Sequence, residues 1–381
     1  LKDLSAITPE FFFLILLSLT GILILISSRN IISMYLSLEL QSICLYILAA
    51  YRKYDIKSSE SGVKYFIIGA LSSGILLYGL SIIYGFTNST DFYEIAKSIT
   101  TEEGKPIADA LGEVKRAMNI IEYAAGEGRR MFGYTTPSEL PSTMAYTVRR
   151  PLGVVAIITP WNFPLAIPAW KIAPALICGN TLVFKPASST PMTAIKLVEI
   201  FIEAGLPPGV LNLVTGSGSS VGNSLVESKY INGISFTGST EIGTGIYAEG
   251  ARSLKKVQCE LGGKNAVILL ADGELDNAIG GIVQGAFGST GQRCTATSRV
   301  IVEESIHDDF VNELVNQTSK LKIGNGLDVD VDISPLASKS QLDTVSKYID
   351  IGINEGANLV YGGNTLTNGV YEHGHYIAPS I

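Results

Sequence analysis

Basic charge is in short supply. The 381-residue chain carries 28 Lys and Arg against 35 Asp and Glu, a formal net charge of −7. That deficit argues against nucleic acid as a partner. Histidine is scarcer still: His307, His373 and His375 are the whole supply. They come too few and too late to carry the chemistry. His373-Gly374-His375 has the makings of a metal pair but reads better as a solvated turn, so no metal site is expected. Four cysteines, Cys44, Cys178, Cys259 and Cys294, show no CxxC spacing. They make neither a disulfide framework nor a zinc site, which points to a reducing compartment. Internal repeats and low-complexity linkers are absent as well.

Apolar residues, by contrast, are abundant. They form 46% of the chain, and the mean hydropathy is +0.31. The excess lies at the N-terminus. Residues 11–27 and 65–87 are uncharged, and 31–51 are apolar apart from Glu39 and Gln41. Each run is long enough to cross a bilayer as a helix. Three such runs exclude a signal peptide, which has one. Arg52, Lys53, Lys57 and Lys64 cluster between the second and third runs. The positive-inside tendency puts that loop in the cytoplasm. Residues after Thr87 would then lie on the far side, at odds with a reduced enzyme downstream. Glu39 and Lys64 are ionisable groups in or beside apolar runs, where the default reading is functional, often a proton path.

The character changes after about Ile99. Residues 100–128 are charged and helix-periodic, with Ala108, Leu111, Val114, Met118 and Ile121 on one side. From about Thr143, strand-like runs (153–158, 181–184, 210–214, 233–236, 265–270) alternate with helical patterns (166–178, 191–204, 219–227, 239–250, 275–287). Such alternation predicts a parallel α/β sheet with helices on both faces. The length suits two or three domains. The join near Ile99 lacks the polar, flexible linker expected between domains.

Two dense motifs carry reactive side chains. Cys294 sits in Gly291-Gln292-Arg293-Cys294-Thr295, and Glu260 heads Glu260-Leu261-Gly262-Gly263-Lys264. Glycines beside each allow close backbone approach to a ligand. Arg293 nearby, or a helix N-terminus, would favour the thiolate. A thiol that attacks a carbonyl and a carboxylate that activates water are the parts of covalent acyl chemistry. A buried inert cysteine and a surface glutamate are the bland alternatives. Thr159-Pro160-Trp161-Asn162-Phe163-Pro164 follows a strand directly, and its prolines stiffen a loop from which Asn162 can offer an amide to an oxyanion. A structural turn is the alternative there. Phe184-Lys185-Pro186-Ala187-Ser188 ends the next strand, where ligands of open parallel sheets bind. Gly216-Ser217-Gly218 with Gly222 is only a weak dinucleotide loop, since it is not GxGxxG. Phe236-Thr237-Gly238-Ser239-Thr240 is stronger, with hydroxyls at a helix start suited to a pyrophosphate.

Taken in order and spacing, the five motifs at 160–164, 185–188, 236–240, 260–264 and 291–295 resemble the aldehyde dehydrogenase superfamily, from about Thr101 to Ile381. The resemblance implies a Rossmann-type parallel-sheet cofactor domain (99–259) and an α/β catalytic domain (260–381). It implies oxidation of a small aldehyde to a carboxylate through a cysteine thioester, with NAD or NADP. Cys294 is then the nucleophile, Glu260 the general base, Asn162 an oxyanion donor with the Cys294 N–H, and Lys171 a lysine near the active site. Trp161, Lys185, Ser188, Gly218, Gly222, Phe236, Gly238, Ser239 and Leu261 match cofactor contacts. Family members that prefer NAD often carry Glu where Ser188 stands, so the small hydroxyl leaves room for NADP. The stretch 233–299 looks most like α-ketoglutaric or succinic semialdehyde dehydrogenases. The family is homo-oligomeric and cytoplasmic.

Residues 1–98 resemble subunit N of respiratory complex I, a proton-translocating membrane protein. The matching stretches are Leu38-Glu39-Leu40-Gln41-Ser42 and Lys64-Tyr65-Phe66 through Gly69-Ala70-Leu71-Ser72-Ser73-Gly74. This implies a segment of about three helices in a bacterial inner membrane. The chain opens on Leu1 and stops within an apolar stretch at Ile381, so both ends read as cut. The family's first strands and a later glutamate in an E-x-F-G-P motif fall outside the sequence, which leaves the cofactor clamp and the oligomerisation elements incomplete. The expectation is a chimeric or fragment product with a dehydrogenase part. The alternative is a membrane proton-transport fragment carrying that part as a passenger.

Overall fold

The computed structural model describes residues 8–28, 30–52, 54–67, 69, 70, 73 and 92–381. Helices α1 (Pro9–Ser27) and α2 (Ile31–Ala49) are the two apolar helices long enough to cross a bilayer among these residues. Pro9 opens α1, where a missing N–H costs nothing, and Asn30 caps α2 by accepting from Ser33 N at 2.8 Å. The two pack through small residues. A Cβ on Gly21 would lie 3.0 Å from the Ser37 carbonyl oxygen, and Ser18 and Ser37 are buried beside it. Close approach of two backbones requires a glycine there. Most of the third apolar run, expected over 65–87, lies outside the described residues. Residues 56–67 are helical.

The single helix expected over 100–128 is two helices. α3 (Phe92–Glu103) stops, and α4 (Ile107–Glu127) begins four residues later. Gly104 takes φ 101°, and Pro106 cannot donate to a continuing helix. The buried stripe of α4 also turns by one residue from expectation. Ile107, Ala110, Val114 and Ala117 are buried, whereas Ala108 is exposed and Leu111 and Met118 only half-buried. The expected boundary at residue 98 falls within α3.

Five parallel strands form the main sheet: β1 (Val154–Ile158), β2 (Thr181–Lys185), β3 (Leu211–Leu213), β4 (Gly233–Gly238) and β5 (Lys256–Leu261). Their spatial order is β3-β2-β1-β4-β5. Crossover helices α5 (Ala166–Ile177), α6 (Pro191–Glu203), α7 (Asn223–Glu227) and α8 (Thr240–Arg252) join them. The chain winds outward from β1 in one direction and then in the other. The β1/β4 junction is therefore the switch point, outside whose strand ends ligands bind in such sheets. A core of Ala156, Ile158, Val226, Ile231, Ile234, Phe236 and Ile246 fills one face. Val257, Cys259 and Leu261 alternate onto that core, which leaves Lys256, Gln258 and Glu260 on the other face of β5.

A second, two-stranded parallel ladder pairs β6 (Asn265–Leu269) with β7 (Thr297–Val302). Helices α9 (Leu275–Phe287) and α10 (His307–Thr318) bury Leu269, Ile279, Ile282, Phe310 and Leu314 against it. The Cys294 loop lies between α9 and β7. The expected division at 259/260 falls inside β5.

Candidate active site

Asn162 follows β1 in the loop before α5. Its Nδ2 donates to the Gln292 carbonyl at 2.8 Å, two residues before Cys294. One tertiary hydrogen bond thus ties the loop at the sheet's switch point to the loop of the thiol. The amide keeps a second N–H. Its Oδ1 and the Gln292 Nε2 are both buried and unpartnered among the described residues.

The Asn162 loop rests on charges the motifs did not announce. Lys105 Nζ donates to the Asn162 carbonyl at 2.6 Å and to Glu113 Oε2 at 2.7 Å, and it lies 4.0 Å from the Phe163 ring centroid. Both side chains of this ion pair are 0% exposed. Glu113 Oε1 accepts from Leu165 N and Ala166 N, the first amides of α5. A carboxylate at a helix N-terminus is well placed for the helix dipole. Glu103 is also buried, 3.9 Å from Lys105, and burial pushes its carboxyl up to about 7. Gly104-Lys105-Pro106 signals the helix break in sequence, but nothing local signals the buried pair.

Cys294 is exposed. Its loop is strained: Ser289, Thr290 and Gly291 have φ of 50°, 55° and 71°. Left-handed non-glycine residues persist only when their surroundings hold them. Asp109 does part of that, accepting from Ser289 N at 2.8 Å and from Arg293 Nη2 at 2.6 Å. Thr290 Oγ1 bonds the Ser334 carbonyl at 3.0 Å, and Gln292 Oε1 accepts from Ala337 N at 3.1 Å. Asn265 Nδ2 donates to the Cys294 carbonyl at 2.9 Å. Arg293, next to the thiol in sequence, is paired with Asp109. Its charge holds the loop.

Glu260 is exposed near the carboxyl end of β5, in register with Thr237 of β4. Its Oε1 accepts from Gln258 Nε2 at 2.7 Å. Lys171, in α5, lies under the sheet face that carries both. Its Nζ donates to Ser235 Oγ at 2.8 Å and to Gln258 Oε1 at 3.2 Å. Burial pulls the Lys171 amine down to about 8, and the Glu260 carboxylate opposes that shift.

The expected cofactor residues gather at the carboxyl ends of the strands. Lys185 closes β2, buried, with Nζ on the Pro186 carbonyl at 3.0 Å, and burial lowers its pKa. Ser188 is exposed and donates to the Gly216 carbonyl at 2.9 Å. Gly218 and Gly222 bound a short π-helical turn that Ser217 caps, and Gly218 faces open space. Ser239 caps α8, accepting from Ile242 N. Trp161 is half-buried beside Asn162. Phe236 and Leu261 turn their side chains to the core, unlike the rest of the set. A Cβ on Gly238 would lie 2.4 Å from the Phe236 ring, so the core phenylalanine requires a glycine at the strand end.

A doubly wound parallel sheet with a lysine, small residues and a capped helix start at its strand ends belongs to the dinucleotide-binding α/β class. The Aldehyde dehydrogenase family model matches residues 89–381, and the chain belongs to that family. It is 49% identical over 288 residues to alpha-ketoglutaric semialdehyde dehydrogenase of Bacillus subtilis, a match covering 76% of this chain and 59% of that protein. It is 41% identical over 288 residues to succinate-semialdehyde dehydrogenase [NADP(+)] of Escherichia coli, with the same two shares. The crystal structure of betaine aldehyde dehydrogenase from Staphylococcus aureus in complex with NAD+ superimposes with a TM-score of 0.77 at 33% identity, over 81% of this chain and 61% of that one. The chain therefore spans about three-fifths of the length of these relatives. A second family model, of the NADH:quinone oxidoreductase/Mrp antiporter membrane region, matches residues 28–122. The two matches overlap over 89–122.

Proposed function

We propose that the chain carries NAD(P)-dependent oxidation of an aldehyde to a carboxylate through a thioester on Cys294. The supporting observation is the Asn162–Gln292 hydrogen bond, which sets an amide donor beside the thiol's loop at the switch point of the sheet. Cys294 Sγ attacks the aldehyde carbon to give a thiohemiacetal. The second Asn162 N–H and the Cys294 backbone N–H stabilise the oxyanion that develops. Lys185, Ser188, the turn Gly218–Gly222 and the start of α8 at Ser239 would hold a dinucleotide, with Gly238 at the strand end beside them. When bound, that group accepts hydride from the substrate carbon. Glu260, exposed at the end of β5, then takes a proton from water, and the water oxygen displaces Cys294 from the acyl carbon.

The semialdehyde names of the relatives support a semialdehyde of the α-ketoglutaric or succinic type as substrate. Ser188 supports acceptance of NADP, which the E. coli relative's name carries. We keep the division into a membrane segment (1–98), a cofactor domain (99–259) and a catalytic domain (260–381). The antiporter match and helices α1 and α2 support a membrane position for the first of these; we assign it to a bacterial inner membrane and the dehydrogenase part to the cytoplasm. The same match supports the second reading, a proton-translocating fragment with the dehydrogenase part as passenger.

The test is a rapid-quench digest of the chain after mixing with succinic semialdehyde and NADP+. Mass spectrometry should find the acyl group on Cys294 and none on Cys294→Ser. Normal acyl-enzyme in that variant would refute the assignment.

A further inference from the structure

Lys171 of α5 lies on the same sheet face as Glu260 of β5, the general base of the proposed reaction, yet no direct hydrogen bond joins them among the described residues. Gln258 stands between them. Its Nε2 donates to Glu260 Oε1 at 2.7 Å, and its Oε1 accepts from Lys171 Nζ at 3.2 Å and from Ser235 Oγ at 2.6 Å. The placement follows from strand geometry. Residues 258 and 260 share one face of β5, and Gln258 pairs in register with Ser235 of β4. Every side chain in this cluster therefore comes from regular secondary structure, which holds a constellation better than a loop does.

We propose that Gln258 is a positioning residue that couples Lys171 to Glu260 and holds the carboxylate for the hydrolytic half of the reaction. The inference rests on the reading of Glu260 as general base. Both ends of the amide are committed: its oxygen accepts from the cation side, and its nitrogen donates to the anion side. The polarity is that of a chain of aligned hydrogen bonds, in which each strengthens the next. Positive charge at Lys171 is thereby felt at Glu260 through the amide as well as through space. An amide nitrogen does not exchange its proton for one arriving at its oxygen without rearranging to the imidic acid. The link accordingly carries orientation and charge but no proton. The proton that Glu260 gains from water leaves to solvent, to which Glu260 is exposed.

Two measurements on the full chain test this. The first is the Lys171 titration, followed by NMR of 13C-labelled lysine and assigned with Lys171→Arg. The titratable groups set against Lys171 are Glu260 and Cys259, both on β5, while β4 contributes the hydroxyl of Ser235. Glu260→Gln should lower the Lys171 pKa in the parent. In a Gln258→Leu background the same substitution should lower it by less than half as much. Gln258→Asn, one methylene too short to bridge both partners, should behave like the leucine variant. Equal shifts in all backgrounds would overturn the proposal.

The second measurement separates acylation from hydrolysis. Gln258→Leu should keep the burst of reduced cofactor and slow the steady-state rate by roughly tenfold, because a misplaced base leaves the first chemical step alone. Burst and steady state lowered together would also overturn it. A parent without acyl-enzyme at Cys294 would refute the proposed reaction, and the titration cycle would still decide whether Gln258 couples the pair.

Discussion

Replacing Lys105 with Met should destabilise the fold from beneath the Asn162 loop. The methionine keeps the length of the side chain and removes its charge. Glu113 Oε2 then loses its partner at 2.7 Å, and the Asn162 carbonyl loses its own at 2.6 Å. Both members of the pair are fully buried, so water cannot replace either contact. Removing one partner of a buried pair costs about 3–5 kcal/mol, because the other charge stays behind unpaired. At roughly 2 °C per kcal/mol for a domain of this size, the melting temperature should fall by about 6–10 °C. The assay is thermal melting by near-ultraviolet circular dichroism on the detergent-solubilised chain. Lys105→Met/Glu113→Leu should recover part of the loss, since the stranded carboxylate goes too. It should not recover all of it, because the first amides of α5 lose their acceptor, worth about 1 kcal/mol. Lys339→Met, which breaks the exposed pair with Asp343, is the control and should shift the melt by less than about 1 °C. A Lys105→Met melt within about 2 °C of the parent would show that the buried pair contributes nothing and that this reasoning is wrong.

Glu260→Gln should leave the burst of reduced cofactor in place and slow thioester hydrolysis at least about 100-fold, as loss of a general base does. A lost burst with normal hydrolysis would contradict it. Ser188→Glu should cut kcat/KM for NADP by tenfold or more while sparing NAD, because a carboxylate would face the 2′-phosphate. A parent that already prefers NAD by more than about a hundredfold, roughly 2.7 kcal/mol, would sink the idea. Glu103 makes a pH prediction. Its folded pKa, about 7, lies above its ordinary 4.5, so its protonated form favours the fold. The stability it contributes is full below pH 4.5 and is lost as pH rises through about 7, a change of at most about 3 kcal/mol. Urea melts of parent and Glu103→Gln between pH 4.5 and 8 should therefore diverge in slope, and parallel curves would refute the assignment.

Much of the fold was legible because periodicity and punctuation are local. The strand-like runs at 153–158, 181–184 and 233–236 became β1, β2 and β4 within two residues at either end. The helical patterns at 191–204 and 275–287 became α6 and α9. The pattern failed at 100–128, where a charged, periodic stretch ran across Gly104-Lys105-Pro106. There the apolar rhythm continued while the backbone could not, since a positive φ and a missing N–H end a helix whatever its side chains. The buried stripe of α4 was offset for a related reason. Ala and Ile at adjacent positions offer two faces of similar hydrophobicity, and only the packing partner chooses between them.

The sequence by itself determined the candidate groups and the order in which the chain presents them: thiol and carboxylate each beside glycines, Asn162 after a strand between prolines, Ser239 at a helix start. Those are properties of a few neighbouring residues. It also determined the apolar helices α1 and α2, which composition alone specifies. What the tertiary structure decided is which charge answers which. Arg293, beside the thiol in sequence, pairs with Asp109, 184 residues earlier. Lys105 and Glu113 meet with both side chains 0% exposed, although most lysines and glutamates face water. Gln258 acquires its partners from α5 and β4. Pairings of this kind depend on where crossover helices land on the sheet, a distance in space that no spacing along the chain encodes.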